Sequence, residues 1–185
     1  MRQIQEFEQA RKLLQQGKIL AYPTEAVYGL GCDPFNQETV EKLLALKQRP
    51  VDKGLIVLIA EWDHLAPLIR CIPQSYLDKV RASWPGPVTW VFPKSPHVPS
   101  WVSGAQDTIA IRMSAHPIAH ELSRNGPIIS TSANVSEQAP ARTLDELHAQ
   151  FPQGIDALLL GELGDQKRPS AIYDVCSSKC LRSNT

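Results

Sequence analysis

Hydrophobic residues recur along the chain at two different spacings, which predict helices and strands in alternation. Helical spacing from Ile4 onwards, stopped by Gly17, predicts an amphipathic N-terminal helix. A second leucine-rich stripe covers residues 36–47, with Asn36 as the predicted N-cap. Further helices are predicted near residues 62–82, over 116–126, and after a capping box formed by Thr143 and Glu146.

Short apolar or β-branched runs between these helices predict about six or seven strands. The unbroken apolar run 54–60 is typical of a strand covered on both faces. The other strand-like runs are 18–23, 88–93, 107–113, 127–133, 156–161, 170–175 and 180–182. Their interleaving with helices predicts an α/β fold with a mixed sheet, formed by a single domain over residues 1–185. The proline-rich stretch 93–101 is predicted to be a mobile loop.

The overall charge narrows the possible partners. Lysine plus arginine number 19, as do aspartate plus glutamate, so the formal net charge of the 185-residue chain is zero. No global field therefore attracts nucleic acid, and a polyanion would need a local basic patch. No run reaches the roughly 18 apolar residues of a membrane span, and the N-terminal helix lacks the core of a signal peptide. These features predict a soluble cytoplasmic protein without a membrane partner.

Side chains that commonly hold metals do not form a metal-site pattern. The four cysteines are Cys32, Cys71, Cys176 and Cys180, and no second Cys or His pair stands at zinc-site spacing from the last two. Because the sequence shows no export signal, reduced thiols are expected. His116 and His120 are four residues apart on a predicted helix, but without a third ligand they indicate a surface pair. No metal site is predicted.

The chain contains none of the familiar nucleotide-binding motifs. Three of its segments nevertheless have residues that suggest a functional rather than a purely structural role. Residues 21–34 run from a strand into Thr24, Glu25 and two glycines, which suits either a ligand loop or a long turn. Residues 46–57 end a helix with Lys47 and Arg49 before a proline. The extended geometry expected there points both cations the same way, towards phosphates or simply towards solvent at a helix end.

The third segment, residues 127–136, ends a predicted strand in small polar side chains. With a period of two, Ser130, Ser132 and Asn134 share one face, and Thr131 shares the other with Ala133. Burying such groups without a partner is unfavourable, so either a polar ligand or a hydrogen-bonded turn must satisfy them.

These segments also form an ordered series with a known counterpart. YPTEAVYGLGCDP, LKQRPVDKGLIVLI, WPGPVTWVFP, IAIRM, STSAN and PSAIYD follow one another over nearly the whole chain. The series resembles the YrdC/TsaC family, the threonylcarbamoyl-AMP synthases. The resemblance implies a twisted mixed β-sheet with flanking helices around a positively charged concave cavity. It also implies synthesis of L-threonylcarbamoyl-AMP from L-threonine, bicarbonate or carbon dioxide, and ATP, with release of pyrophosphate.

The resemblance further implies partners and residue roles. ATP would be a substrate, with Mg²⁺ held mainly by its phosphates, and the product would serve threonylcarbamoyladenosine formation in tRNA through downstream transfer proteins. Family members also bind tRNA or double-stranded RNA. The residues that match the family's nucleotide contacts are Lys47, Arg49, Lys53, Thr108, Ser130, Ser132, Asn134 and Arg182. Those that match its threonine side are Thr24, Arg112 and Ser170. No protein nucleophile is expected.

Two departures and one rival function complete the sequence-based expectations. Many relatives have threonine where this chain has Ala26, and Glu137 stands where the family often has glycine. The rival is a non-catalytic double-stranded RNA-binding or ribosome maturation factor, which would use the same cations to grip phosphates. A patch of Lys47, Arg49, Lys53, Lys167 and Arg168 would serve such binding.

Overall fold

A computed structural model describes residues 1–183 as one ten-stranded mixed sheet with helices on both faces. The strand order is β1-β8-β2-β3-β7-β4-β6-β5-β9-β10. The strands are β1 (Arg2–Ile4), β2 (Leu20–Pro23), β3 (Tyr28–Gly31), β4 (Ile56–Ile59), β5 (Val88–Pro93), β6 (Thr108–Met113), β7 (Ile128–Ser132), β8 (Ala157–Leu159), β9 (Ala171–Asp174) and β10 (Cys180–Arg182). The mixed α/β class predicted from the sequence is confirmed.

The helices are α1 (Phe7–Gln15), α2 (Gln37–Leu46), α3 (Gln74–Arg81), α4 (Ser100–Ser103), α5 (Pro117–Leu122) and α6 (Leu144–Gln150). Helix α2 begins as predicted, because the Asn36 side chain accepts a hydrogen bond from the Thr39 N–H. Helix α6 has the predicted capping box between Thr143 and Glu146. None of the helices within residues 1–183 is long and apolar enough to cross a membrane.

The central strands run in both directions, which brings distant sequence segments side by side. Strand β7 lies antiparallel to both β3 and β4, and β4 lies parallel to β6. Helices α1 and α5 cover one apolar face, while a larger core that includes the α2 leucines fills the other. The polar ends of β7 and β6 therefore meet near the middle of the sheet.

Two local predictions were wrong. Ile4 is buried in β1, paired in parallel with β8, so helix α1 begins only at Phe7. The predicted helix over 62–82 is divided into a 3₁₀ turn at Trp62–His64 and α3, because the prolines between them cannot occupy a helix interior. The stretch 93–101, predicted to be a mobile loop, begins at the last residue of β5 and runs into the start of α4, with an irregular connection over 94–99 between them.

The sequence predicted too few strands, and β3 is one that it missed. Glycines in Tyr28–Gly31 suggested a loop, but they make room for the buried ring of Tyr22. A Cβ on Gly31 would lie 2.9 Å from that ring and 2.7 Å from the Ile129 carbonyl oxygen. Glycine inside a strand thus marks close approach rather than a turn.

Candidate functional site

A cavity of about 450 Å³ opens beside the central strands and adjoins a second, polar pocket of about 400 Å³. The main cavity contains most of the residues that the sequence singled out, namely Thr24, Arg49, Lys53, Thr108, Arg112, Ser130, Ser132, Ser170 and Arg182. Lys47 and Asn134 line the adjoining pocket, which shares Arg49, Lys53 and Ser132 with the cavity. The fold therefore brings the whole predicted set together.

The end of helix α2 delivers the two cations of the K-x-R sequence. Gln48 N–H donates to the Ala45 carbonyl and Arg49 N–H to the Leu44 carbonyl, the pattern of a Schellman cap. Gln48 adopts the left-handed conformation, with φ of 51°, that this cap requires. The chain turns sharply there, so that Lys47 and Arg49 line the same pocket.

Lys47 is not a solvated helix end. Its residue is 3% exposed, and its Nζ donates to the carbonyl oxygens of Ser132 and Asn134. Burial, followed by the charge of Arg49, lowers the pKa of Lys47 to about 7. An ammonium has three donors, so two bonds to the protein leave one N–H for an anion in the pocket.

Arg49 and Lys53 are held by a tight contact between two turns. Arg49 Nη2 donates to the Gly54 carbonyl at 2.9 Å, while its buried Nε has no acceptor within residues 1–183. Gly104, at φ of 64°, packs against the turn that contains Lys53. The two backbones are so close that a Cβ on Gly104 would lie 2.4 Å from the Asp52 carbonyl oxygen. The fixed turn keeps both cations at the cavity wall.

The polar end of β7 forms a hydrogen-bonded loop as well as a cavity wall. Tyr22 hydroxyl donates to Ser130 Oγ at 2.7 Å, and Ser132 Oγ donates to Asn134 Oδ1 at 2.6 Å. Thr131 lines the cavity beside Ser130 and Ser132. Strand β7 ends at Ser132, and the chain then turns around the Lys47 ammonium.

A buried ion pair lies at the far side of the cavity. Arg112 Nη2 is 2.5 Å from Glu25 Oε1, and Arg112 Nε donates to the Gly86 carbonyl at 3.0 Å. The same Glu25 oxygen accepts from Ser114 Oγ at 2.6 Å. Burial opposes ionisation of Glu25, but Arg112 and then Ser114 outweigh it, so the pKa of Glu25 lies below its usual value.

The C-terminal strand contributes the last cation. Arg182 donates from Nε and Nη2 to the Ser170 carbonyl at 3.1 and 2.8 Å, and Ser170 Oγ lies 2.9 Å from Thr89 Oγ1. Arg168 lines the cavity on the same side. Arg49, Lys53, Arg112, Arg168 and Arg182 thus surround a cavity that holds a single carboxylate, Glu25, in the part of the chain that is described. The arrangement suits an elongated, strongly anionic ligand.

Sequence reasoning left several of these residues without a role. Glu25 and Ser114 are cavity residues, and the hydrogen bond between them joins segments 89 positions apart in sequence. Tyr22 was assigned only to a strand, because the partner that makes it polar is on β7. Each acts through a long-range contact, so local spacing carried no signal for it.

The predictions made for the histidines and for the cysteines have different outcomes. The prediction that His116 and His120 form a surface pair was wrong in part, because His116 is buried at the start of α5. The backbone N–H of His116 donates to Glu25 Oε1 at 3.3 Å. All four cysteines are free thiols, with Cys32 buried and the others exposed. Over the described range, no three His, Cys, Asp or Glu side chains are grouped so that they could hold a metal ion.

Comparison with known proteins agrees with the resemblance seen in the sequence. Residues 12–183 match the Sua5/YciO/YrdC family, which is described as "Telomere recombination". The chain is 46% identical over 180 residues to threonylcarbamoyl-AMP synthase of Vibrio campbellii, covering 95% of this chain and 97% of that protein. It is 49% identical over 175 residues to the Methylococcus capsulatus protein of the same name, covering 94% of each.

Solved structures agree on the fold. The P. abyssi Sua5 structure complexed with L-threonine matches with a TM-score of 0.86 and 32% identity over 94% of this chain. The chain spans about half of that protein, 53% of its length. E. coli YciO matches over 100% of this chain and 94% of its own, with a TM-score of 0.83; at 19% identity it supports the fold alone.

Proposed function

The chain belongs to the Sua5/YciO/YrdC family, and from that premise we propose that it is an L-threonylcarbamoyladenylate synthase. It joins L-threonine, bicarbonate or carbon dioxide, and ATP to give L-threonylcarbamoyl-AMP and pyrophosphate. The observation that carries the proposal is the pair of adjoining pockets lined by Lys47, Arg49, Lys53, Arg112 and Arg182. Near full-length similarity to two proteins named threonylcarbamoyl-AMP synthase supports it.

The nucleotide phosphates occupy the wall formed by the end of α2 in this proposal. Lys47 offers one free N–H, and Arg49 offers a buried Nε that lacks an acceptor within residues 1–183. Lys53 adds a point charge, and Thr108, Ser130, Ser132 and Asn134 supply hydroxyl and amide groups nearby. Arg182 lies across the cavity, where it meets another part of the nucleotide. Charge-assisted donors of this kind are the usual phosphate partners.

The amino acid takes the opposite side. Arg112 presents a guanidinium that suits a carboxylate, while Thr24 and Ser170 line the same region. Thr24 Oγ1 donates to the Val27 carbonyl at 2.7 Å, which leaves its lone pairs for a substrate donor. Ala26 has no hydroxyl, so substrate contact there is limited to backbone and methyl groups.

The chemistry needs positioning rather than a protein nucleophile. The threonine amine attacks the carbon of carbon dioxide, or of bicarbonate with loss of water, and gives a carbamate. A carbamate oxygen then attacks the α-phosphorus of ATP, and the bond to pyrophosphate breaks. The cations described above stabilise the charge that grows on the leaving pyrophosphate, and the cavity walls hold both reactants close.

A magnesium ion fits this site as a companion of the nucleotide. Within residues 1–183 no cluster of three acidic or other ligating side chains is available to hold it, and Glu25 is engaged by Arg112. The phosphates of ATP would therefore provide most of its ligands, as is common for Mg²⁺. The ion would supply neutralisation of phosphate charge.

The proposed product is an activated mixed anhydride, so a later enzyme must consume it. We assign that step to cytoplasmic transfer proteins that modify tRNA, the use of the product that the family resemblance implies. RNA contact would use Lys53 and Arg168, which line the cavity, together with Lys167 beside them in sequence. A purely RNA-binding role is less well supported, because the Arg112 side chain is only 12% exposed and a duplex phosphate could not reach it.

The decisive experiment measures pyrophosphate release by the purified chain with ATP and Mg²⁺. We expect release that requires both L-threonine and bicarbonate, together with formation of threonylcarbamoyl-AMP. L-serine is expected to be intermediate and L-valine poor, because a site that hydrogen-bonds a hydroxyl rejects analogues without it. Release that ignores threonine and bicarbonate would exclude the proposed reaction.

A further inference from the structure

Glu25 is an unexpected occupant of a cavity that attracts anions. It is the one carboxylate among the described residues that line the main cavity, and its residue is 9% exposed. A buried negative charge repels anionic ligands and is unfavourable unless it is paired. Its presence therefore needs a specific reason.

Within residues 1–183, the hydrogen bonds and the ion pair of the Glu25 carboxylate all involve one of its two oxygens. Oε1 lies 2.5 Å from Arg112 Nη2, accepts from Ser114 Oγ at 2.6 Å, and lies 3.3 Å from the His116 N–H. Arg112 is also fixed at Nε by the Gly86 carbonyl. Its Nη1 makes no hydrogen bond to the chain over residues 1–183, so the guanidinium is immobilised with donors to spare.

The backbone of Glu25 is fixed as firmly as its carboxylate. Its carbonyl accepts from Gln166 N–H at 2.9 Å, and the neighbouring Thr24 carbonyl accepts from Gly164 N–H at 3.0 Å. A Cβ on Gly164 would lie 2.7 Å from the Glu25 carbonyl oxygen, so the two segments are in direct contact. The backbone that carries the Glu25 side chain is therefore held in place by the segment at residues 164–166.

We propose that Glu25 is a positioning residue, which holds Arg112 so that its remaining N–H groups face the carboxylate of the amino-acid substrate. The inference rests on the proposed function in that it assumes an amino acid bound beside Arg112. Glu25 could instead act as the proton acceptor for the substrate ammonium. Its pairing with Arg112 makes it a weak base, which favours the positioning role.

Three substitutions separate charge from geometry. Glu25→Gln keeps an oxygen where Oε1 stands but removes the charge, Glu25→Asp keeps the charge but withdraws it by one methylene, and Glu25→Ala removes both. Positioning predicts that Glu25→Gln retains threonine affinity and kcat within about fivefold, since a neutral acceptor still meets Arg112. Glu25→Asp and Glu25→Ala are expected to weaken threonine binding about 10- to 100-fold without changing the KM for ATP.

Binding is measured by calorimetry on the full chain with L-threonine and with L-threoninamide, which lacks the carboxylate. The Asp and Ala variants are expected to lose affinity for threonine and not for the amide. Unchanged threonine affinity in both would overturn the proposal. So would a loss in kcat of about 100-fold or more in Glu25→Gln at unchanged threonine affinity, since that identifies a proton acceptor.

Ser114→Ala keeps the proposal testable if the Glu25 variants do not fold. It removes one donor to Oε1 and leaves every charge in place. We expect threonine affinity to fall about 2- to 10-fold, and an unchanged affinity would contradict the proposal. Threonine affinity is measured without turnover, so a wild-type chain that binds threonine but makes no threonylcarbamoyl-AMP would refute the proposed reaction alone.

Discussion

Lys47 Nζ donates a hydrogen bond of 2.7 Å to the backbone carbonyl oxygen of Asn134. This contact joins the end of helix α2 to the loop after β7, 87 positions further along the chain. The ammonium therefore stabilises the loop that surrounds it and keeps one N–H for a ligand. The predictions below start from this dual role.

ATP binding is expected to take up a proton. The pKa of Lys47 is lowered to about 7, so above that pH the amine of the free protein is mostly neutral. Phosphates raise the pKa again and favour the charged form, so ATP affinity should fall as the pH rises above about 7. Calorimetric titration in two buffers of different ionisation enthalpy measures the proton.

Lys47→Arg is the matched control for that experiment. Arginine stays charged throughout this pH range, so the variant reports proton uptake by ATP itself. Subtracting the proton uptake of the Lys47→Arg variant from that of the unsubstituted protein gives the contribution of Lys47. Equal proton uptake in the two proteins would show that Lys47 does not titrate on binding.

Arg49→Lys tests the buried Nε that has no acceptor over residues 1–183. The change keeps the charge but loses the planar fork, so ATP affinity should fall about tenfold or more. Arg124→Lys is the matched control, because within residues 1–183 the exposed Arg124 side chain pairs only with Glu121, at 3.5 Å. ATP affinity that is the same in both variants would argue against phosphate contact by Arg49.

Tyr22→Phe removes the donor to Ser130 Oγ from a fully buried site. We expect the free energy of unfolding to fall by about 1 kcal/mol, the usual net contribution of one hydrogen bond. Because Ser130 then rotates freely at the cavity floor, the KM for ATP should rise as well. Tyr76→Phe, in a ring that packs under Lys79 outside the cavity, should change neither.

Gly104→Ala tests the packing that fixes Lys53. The new Cβ would meet the Asp52 carbonyl oxygen at 2.4 Å and sits on a left-handed backbone, so we expect a loss of stability of about 1–3 kcal/mol. ATP affinity should fall too, because the turn carrying Lys53 must move. Gly126→Ala also has positive φ but meets nothing within 4 Å, and it should leave ATP affinity intact.

Thr143→Ala separates stability from function. Thr143 Oγ1 accepts from Glu146 N–H at 3.1 Å at the start of α6, and losing a helix cap costs about 1 kcal/mol. Neither residue lines the main cavity. Thermal unfolding should register the loss, while threonine-dependent pyrophosphate release at low temperature should be unchanged; a drop in that release would link α6 to the site.

Local chemistry by itself determined much of this protein. The N-cap at Asn36, the capping box at Thr143 and the strand at Val88–Pro93 depend on neighbours within a few residues, and all were predicted. The sequence also identified Lys47, Arg49 and Arg112 as cavity residues, because their motifs follow one another in a recognisable order. Periodicity alone could not tell that Ile4 belongs to a strand, since its burial depends on pairing with β8.

Only the tertiary structure decided how the cations are held. Lys47 is held by two carbonyl groups from a chain segment far along the sequence. Arg112 is oriented by Glu25, which lies in the connection between β2 and β3. Hydrogen bonds and ion pairs act over a few ångströms in space, irrespective of separation along the chain. Residue type and spacing therefore indicate which side chains can bind phosphate or carboxylate, and the fold alone decides which donors remain free to do so.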